Sequence, residues 1–199
     1  MVGAVFQTIL HNHLASPYTL GIAGSSSVGA VLAISIPGLS GLSWFGLGAI
    51  EICSLLGSAL AAFFIYRLAR RTGGMSMNTL LLAGVAIGII SSALVMLIRY
   101  ISSPHLLVSM DRWIMGGLDV SSPREVFSLL PLVTPGVTII LMQSLSLNHI
   151  IFGEELATGH GVSVAAVQKW CFVGGALAIA AIVSQTGPIA FVGLIIPHL

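Results

Sequence analysis

Charge is what this sequence has least of. Seven basic and six acidic side chains make up 7% of 199 residues, whereas 56% are hydrophobic. An ordinary soluble domain carries roughly 25% charged residues, which form its water-facing skin. A chain this poor in charge must turn its surface to something other than water, and membrane lipid is the direct answer. The net charge of +1 also leaves no basic surface for a nucleic acid.

Cysteine is scarce too. Cys53 and Cys171 stand alone in apolar stretches, fit neither a C-x-x-C nor a zinc spacing, and read as small packing residues. Catalytic and phosphate-binding signatures are missing: there is no G-x-S-x-G, no H-E-x-x-H and no G-x-x-x-x-G-K followed by Ser or Thr. The chain therefore has no equipment for hydrolysing a nucleotide, and no cofactor or metal is implied. His11 and His13 could chelate a metal, but two ligands with no carboxylate nearby make a poor site. His105, His149, His160 and His198 are scattered among loops and ends. No secretory leader is visible, since Met1–Leu10 has neither a basic start nor a cleavage site.

What is present is length of apolar run. A hydrocarbon core about 30 Å thick takes roughly 20 helical residues to cross. Runs of this kind cover Tyr18 to Ile36, Leu42 to Tyr66, Thr79 to Ile98, Val126 to Met142 (interrupted by Pro131 and Pro135) and Val164 to Val183. A further one begins at Ile189. They are too long and unbroken for barrel strands, so the fold class is all-α, a polytopic transmembrane helical bundle. Residues 1–199 read as a single membrane domain with no internal repeat. Both ends read as cut inside helices.

Arg67, Arg70 and Arg71 form the strongest basic cluster and place that end of the second run in the cytoplasm. Alternation then puts Ser102–Pro123 outside and Leu145–Ser163 inside. The outer segment suits a short interfacial helix anchored by Trp113. The inner one, from Gly153 to Gly161, suits a short glycine-capped helix outside the lipid. Glu154 and Glu155 resemble an acid/base pair, but neighbours on a helix point about 100° apart and do not converge; an acidic first turn explains them. Glu51 lies inside a span and reads either as a proton or substrate relay or as an acid near the interface. Gly84 and Gly88, continued by Ser91 and Ser92, mark a close-packing or pore-lining face. Arg99, Asp111, Arg112 and Asp119 read as solvated charges.

Five segments in order resemble the FecCD/BtuC-type permeases of ABC importers for iron–siderophore complexes, haem and cobalamin. His11-Asn12-His13-Leu14-Ala15-Ser16-Pro17-Tyr18-Thr19-Leu20-Gly21 is similar to the family's N-P-L-A-x-P-x-x-L-G. Leu80–Ile87 is similar to L-L-L-A-G-V-A, and Trp113–Gly117 to W-x-M-G followed by Ser or Gly. Gly153–Val162 resembles the G-E-x-x-A-x-x-L-G loop, and Gly187–His198 the G-P-I-G-F run that ends in P-H. His13, His160 and Ala190 depart from the usual Pro, Leu and Gly.

The resemblance implies an ABC importer permease present as helices three to seven with the ends of helices two and eight. It implies a homodimer or heterodimer with a second permease, ABC ATPase subunits inside and an extracytoplasmic substrate-binding protein outside, in a bacterial cytoplasmic membrane. It implies no enzyme activity of the chain's own. Gly153, Glu154, Glu155, Ala157, Gly159 and Gly161 would form the ATPase-coupling loop. Gly74, Ser76, Asn78 and Thr79 would belong to a cytoplasmic gate, and Gly84, Gly88, Ser91 and Ser92 to a pathway-lining helix. Trp113, Gly116 and Gly117 would sit at the external mouth. A membrane-embedded enzyme would need convergent polar residues at one depth, and a secondary transporter intramembrane charges and repeats; neither pattern is evident. A non-functional fragment of such a permease is the remaining alternative.

Overall fold

A computed structural model describes residues 1–10, 12, 16, 18, 20–36, 38–39, 43–44, 47–70, 76–118 and 123–198. The chain is an all-α polytopic bundle: α1 (Val2–Ile9), α2 (Ile22–Ser35), α3 (Ala49–Ala69), α4 (Met77–Ile101), α5 (Pro104–Met115), α6 (Pro123–Met142), α7 (Ser144–Ile151), α8 (Glu154–Gly159), α9 (Val164–Thr186) and α10 (Val192–Ile195), closed by a 3-10 turn. One small hairpin, β1 (Ser43–Trp44) against β2 (Leu47–Gly48), precedes α3. α3, α4 and α9 are each long and apolar enough to cross a membrane, and α6 with α7, bent by 51°, is long and apolar enough only when the pair is taken together, as a broken span or a re-entrant loop.

α2 is the centre. At 14 residues it is about 21 Å long at 1.5 Å per residue, shorter than a bilayer core, and ten of the 14 are buried. Its Ser-Gly-Ala composition explains this position. Between helices in lipid, attraction comes from van der Waals contact and interhelical hydrogen bonds, so small residues that let backbones approach are favoured. A Cβ at Gly29 would overlap the Cys53 carbonyl of α3, and one at Gly57 would overlap the Ser25 carbonyl of α2. On the α4 side, a Cβ at Gly84 would lie 2.8 Å from the Leu20 Cα. Serines add polar ties: Ser26 hydrogen-bonds Ser54, and the Ser25 and Ser91 hydroxyls are 2.8 Å apart.

These contacts fix directions. Ser25 faces Gly57 while Gly29 faces Cys53, so α2 and α3 are antiparallel. Gly24 faces Gly88 and Ser25 bonds Ser91, while Ile34 clusters with Ile98, so α2 and α4 run parallel. Tyr66 near the end of α3 stacks on Phe172 near the start of α9, 6.4 Å between centroids. Gly136 of α6 meets Gly174 of α9, and Gln185 Nε2 donates to Ser128 Oγ at 3.3 Å, again antiparallel. The last turn of α3, the first of α4, α7, α8 and the first turn of α9 therefore share one end of the bundle. The start of α3, the end of α4, α5 and the end of α9 share the other.

Two boundaries differ from the hydropathy reading. The run from Leu42 begins with the hairpin, and its helix starts only at Ala49, where Glu51 Oε2 accepts the Gly48 N–H at 2.6 Å. The intramembrane acid is thus a cap on a helix N-terminus. The Ser144–Ser163 connection is not a single loop, since α7 continues α6 beyond the bend. Pro131 and Pro135 stay inside α6. Pro135 has no N–H for the Pro131 carbonyl, and the Thr134 hydroxyl donates to it at 3.4 Å instead.

The ranking of forces at α2 is testable by reversible unfolding in detergent. Gly29→Val should destabilise by about 1–3 kcal/mol through overpacking. A Ser26→Ala/Ser54→Ala cycle should give a coupling of only about 0.6 kcal/mol, the average for interhelical hydrogen bonds in membranes. The reverse order would show that polar bonds, not backbone proximity, hold the centre.

Candidate functional site

At the α3/α9 end, a stretch of glycine-bounded chain stands off from the bundle. Gly153 (φ 127°) precedes α8 and Gly161 (φ 80°) follows it, both in backbone regions that favour glycine. No atom lies within 4 Å of a Cβ built on either, so backbone strain and not crowding selects glycine there. Between them the Ala157 N–H donates to the Gly153 carbonyl at 3.0 Å, and the Val162 N–H to the Ala157 carbonyl at 3.0 Å.

Among the described side chains of α8, Ala157 is the buried one. Ala157 is fully buried in a cluster with Val5, Ile9, Ile140, Leu147, Ile150, Val167 and Cys171, which joins α1, α6, α7 and α9. Glu155, Leu156, Thr158, Gly159 and His160 are exposed. Glu155 lies in the first turn, where a carboxylate is favoured by the helix dipole. Glu154 opens the helix, and its side chain lies outside the described residues. Leu156 is 60% and Phe152 77% exposed, so the outer surface here is apolar at its middle and acidic at one edge. The His149 and His160 rings face each other with centroids 5.5 Å apart. A short helix with one buried side chain among those described can transmit a push or a tilt without breaking a large core.

The same end holds Ser76, Asn78 and Thr79. Ser76 caps α4, its Oγ accepting the Thr79 N–H at 3.4 Å, and Asn78 is exposed in the first turn. Met77 between them touches both the central cluster and the one that seats α8. Gly74 lies outside the described residues, as do His11, His13 and Asp119.

Along α4, Gly84, Gly88 and Ser91 face α2, whereas Ser92 is exposed and its hydroxyl donates to the Gly88 carbonyl at 3.0 Å. Ser25, the partner of Ser91, was not singled out by sequence; the run Ser25-Ser26-Ser27 inside an apolar span was the available signal. At the opposite end, Trp113, Gly116 and Gly117 dock α5 onto the end of α9. The Gly117 N–H donates to the Thr186 carbonyl at 2.8 Å, and a Cβ at Gly187 would overlap the Trp113 carbonyl. Arg99 and Asp111, read as solvated, pair at 2.7 Å and tie α4 to α5; at 38% and 40% exposure the bond is worth about 0–1 kcal/mol. Among the described residues no group of three or more His, Cys, Asp or Glu could hold a metal.

The profile of the FecCD transport family matches residues 1–199. An uncharacterized ABC transporter permease, YvrB of Bacillus subtilis, is 33% identical over 100% of this chain and 56% of its own. A cobalamin import system permease, BtuC of Halobacterium salinarum, is 33% identical over 98% of this chain and 51% of its own. An iron(3+)-hydroxamate import system permease, FhuG of Bacillus subtilis, is 32% identical over 100% and 59%. The chain thus spans between half and three-fifths of the length of these relatives. A solved structure, described as an inward-facing conformation of a metal-chelate type ABC transporter, superposes with a TM-score of 0.84 at 28% identity, over 99% of this chain and 61% of that one.

Ala157→Leu tests how α8 is seated. The larger side chain should lift the helix at a cost of about 1–3 kcal/mol. Hydrogen exchange at residues 154–162 should then accelerate while α2 stays protected. Equal loss of protection in both would show that α8 and the core form one unit.

Proposed function

The chain belongs to the FecCD transport family, and on that premise we propose that it is part of the permease of an ABC importer in a bacterial cytoplasmic membrane. The cargo in this reading is a large metal chelate of the iron–siderophore, haem or cobalamin type. Relatives named for cobalamin and for iron(3+)-hydroxamate import support that class and leave its members open.

The observation that carries the reading is α8. Glu154, Glu155, Ala157 and Gly159 belong to a short helix at one end of the bundle, flanked by the positive-φ Gly153 and Gly161, and Ala157 is buried. Such an element suits docking into a groove of an ABC ATPase subunit, which would supply ATP hydrolysis; the chain itself contributes no catalytic group. Arg67 and Arg70 at the same end favour the cytoplasmic side for it.

Coupling requires an element whose contacts differ between two states. ATP-driven movement of the partner would displace α8, and α7 and the start of α9 would carry that displacement to Ser76, Asn78 and Thr79. Gly74 would belong to the same gate. α4 would line the pathway through its exposed face, which includes Ser92, while Gly84, Gly88 and Ser91 hold it to α2. That face would look toward a second permease, identical or not, across the translocation axis. Trp113, Gly116 and Gly117, at the other end, would border the mouth that receives cargo from an extracytoplasmic substrate-binding protein.

Co-purification from detergent with a cognate ATPase subunit tests this. The wild-type chain should retain the ATPase. Gly153→Trp forces a side chain onto a backbone region costing about 1–3 kcal/mol, which corresponds to a loss of affinity of about 5-fold to about 150-fold. Retention that ignores the substitution, or none by the wild type beside a full-length homologous permease as control, would remove α8 from the coupling role.

A further inference from the structure

Away from α8, the face where α3, α6 and α9 meet carries a groove of about 490 Å³. Its walls are Leu56, Ala59 and Phe63 of α3, Val173 and Leu177 of α9, and Leu132 of α6, and its lining is almost wholly apolar. That volume lies in the roughly 300–1,000 Å³ range of small-ligand sites. The stacked rings of Tyr66 and Phe172 line it toward the α8 end of the bundle.

Phe63 and Tyr66 also belong to a second, more polar hollow of about 450 Å³, whose other walls are Arg67 and Arg70. The two spaces therefore adjoin. Arg67 is one turn beyond Phe63 and Arg70 one turn beyond Tyr66, so both guanidinium groups continue the groove's own face. Both are exposed, and neither forms an ion pair among the described residues. On α9, Lys169 precedes Phe172 by one turn, and its ammonium lies over the Trp170 ring, 5.3 Å from the centroid. Arg67 and Arg70 thus line the mouth, with Lys169 and Trp170 on the neighbouring turn of α9, where an apolar span meets water and phospholipid phosphates lie.

We propose that this is a binding site for one anionic phospholipid of the leaflet on the α8 side. An acyl chain fills the groove between α3 and α9, and the phosphate sits between Arg67 and Arg70. An acyl chain fits the apolar length, and charge complementarity selects an anionic headgroup over a zwitterionic one. The site does not depend on which cargo the protein moves.

Native mass spectrometry of the purified chain, titrated with equal phosphatidylglycerol and phosphatidylcholine in mixed micelles, reads the preference directly. Wild type should retain one phosphatidylglycerol in preference to phosphatidylcholine, and that lipid should raise its Tm. Each of Arg67→Gln and Arg70→Gln should reduce the preference about fivefold, as expected for one cation at an anionic surface. Both side chains are exposed, so these variants keep the fold. Leu177→Trp, which fills the groove, should lower retention of both lipids. Equal retention of the two lipids by wild type, or a phosphatidylglycerol preference unchanged in Arg67→Gln/Arg70→Gln, would overturn the site. So would exclusion of both lipids.

Discussion

Backbone proximity at α2 is the constraint on which the rest of the molecule depends. In lipid, moving a leucine from acyl chains to a helix interface gains little, because the two surroundings are equally apolar. Helices must instead approach until many weak contacts accumulate, and only residues without bulk permit that. Gly29 and Gly57 are points where α2 and α3 come within backbone contact, and Gly84 of α4 meets Leu20 just before α2. Gly136 and Gly174 do the same for α6 and α9. Once α2 is clasped by its neighbours, their directions are set, and so are the residues that meet at each end.

The two ends are built differently. At the α5 end, closure is tight: Gly116 and Gly187 bring backbones together, the Gly117 N–H reaches Thr186, and Arg99 pairs with Asp111. At the α8 end, a six-residue helix is seated through Ala157 and released at both sides by glycines whose Cβ positions are empty. Rigid packing resists graded deformation, so a moving part has to be a discrete element with few contacts. α8 has that character, and α5 does not.

Much of this was legible in the sequence because lipid imposes length. The run from Thr79 to Ile98 lies within α4, and Val164 to Val183 lies within α9. The glycine-bounded helix after Gly153 was also readable, since acidic residues between glycines suit a short capped helix. Hydropathy could not find the hairpin at Ser43–Trp44 and Leu47–Gly48, because an apolar turn and an apolar helix score alike. It could not see that Glu51 caps α3, since a cap is defined by a backbone N–H three residues earlier. The Arg99–Asp111 pair was missed for a related reason: α4 and α5 meet only when the chain reverses at Ser102–Ser103. Ser144–Ile151 read as a loop because its asparagine and histidine dilute the apolar pattern, yet α7 packs Leu147 and Ile150 into the cluster that seats α8.

Composition alone also cannot say which face of an apolar helix meets lipid and which meets protein. α9 has 67% of its best spanning window buried, whereas α3 and α4 have 28% each. On α4 the open face carries Leu82, Val85, Ile89, Ile90, Met96 and Leu97, as apolar as any lipid-facing surface. On α3 the open face carries Leu56, Leu60, Phe63 and Phe64 and then turns to Arg67 and Arg70. The polar groups beside these apolar rows make the difference. α3 ends in cations at the water boundary, which fits a helix flank against lipid headgroups. α4 places exposed Ser92 within its apolar row, where a hydroxyl must satisfy itself on the Gly88 carbonyl or find water. The two faces, both apolar along most of their length, differ in where their few polar groups stand.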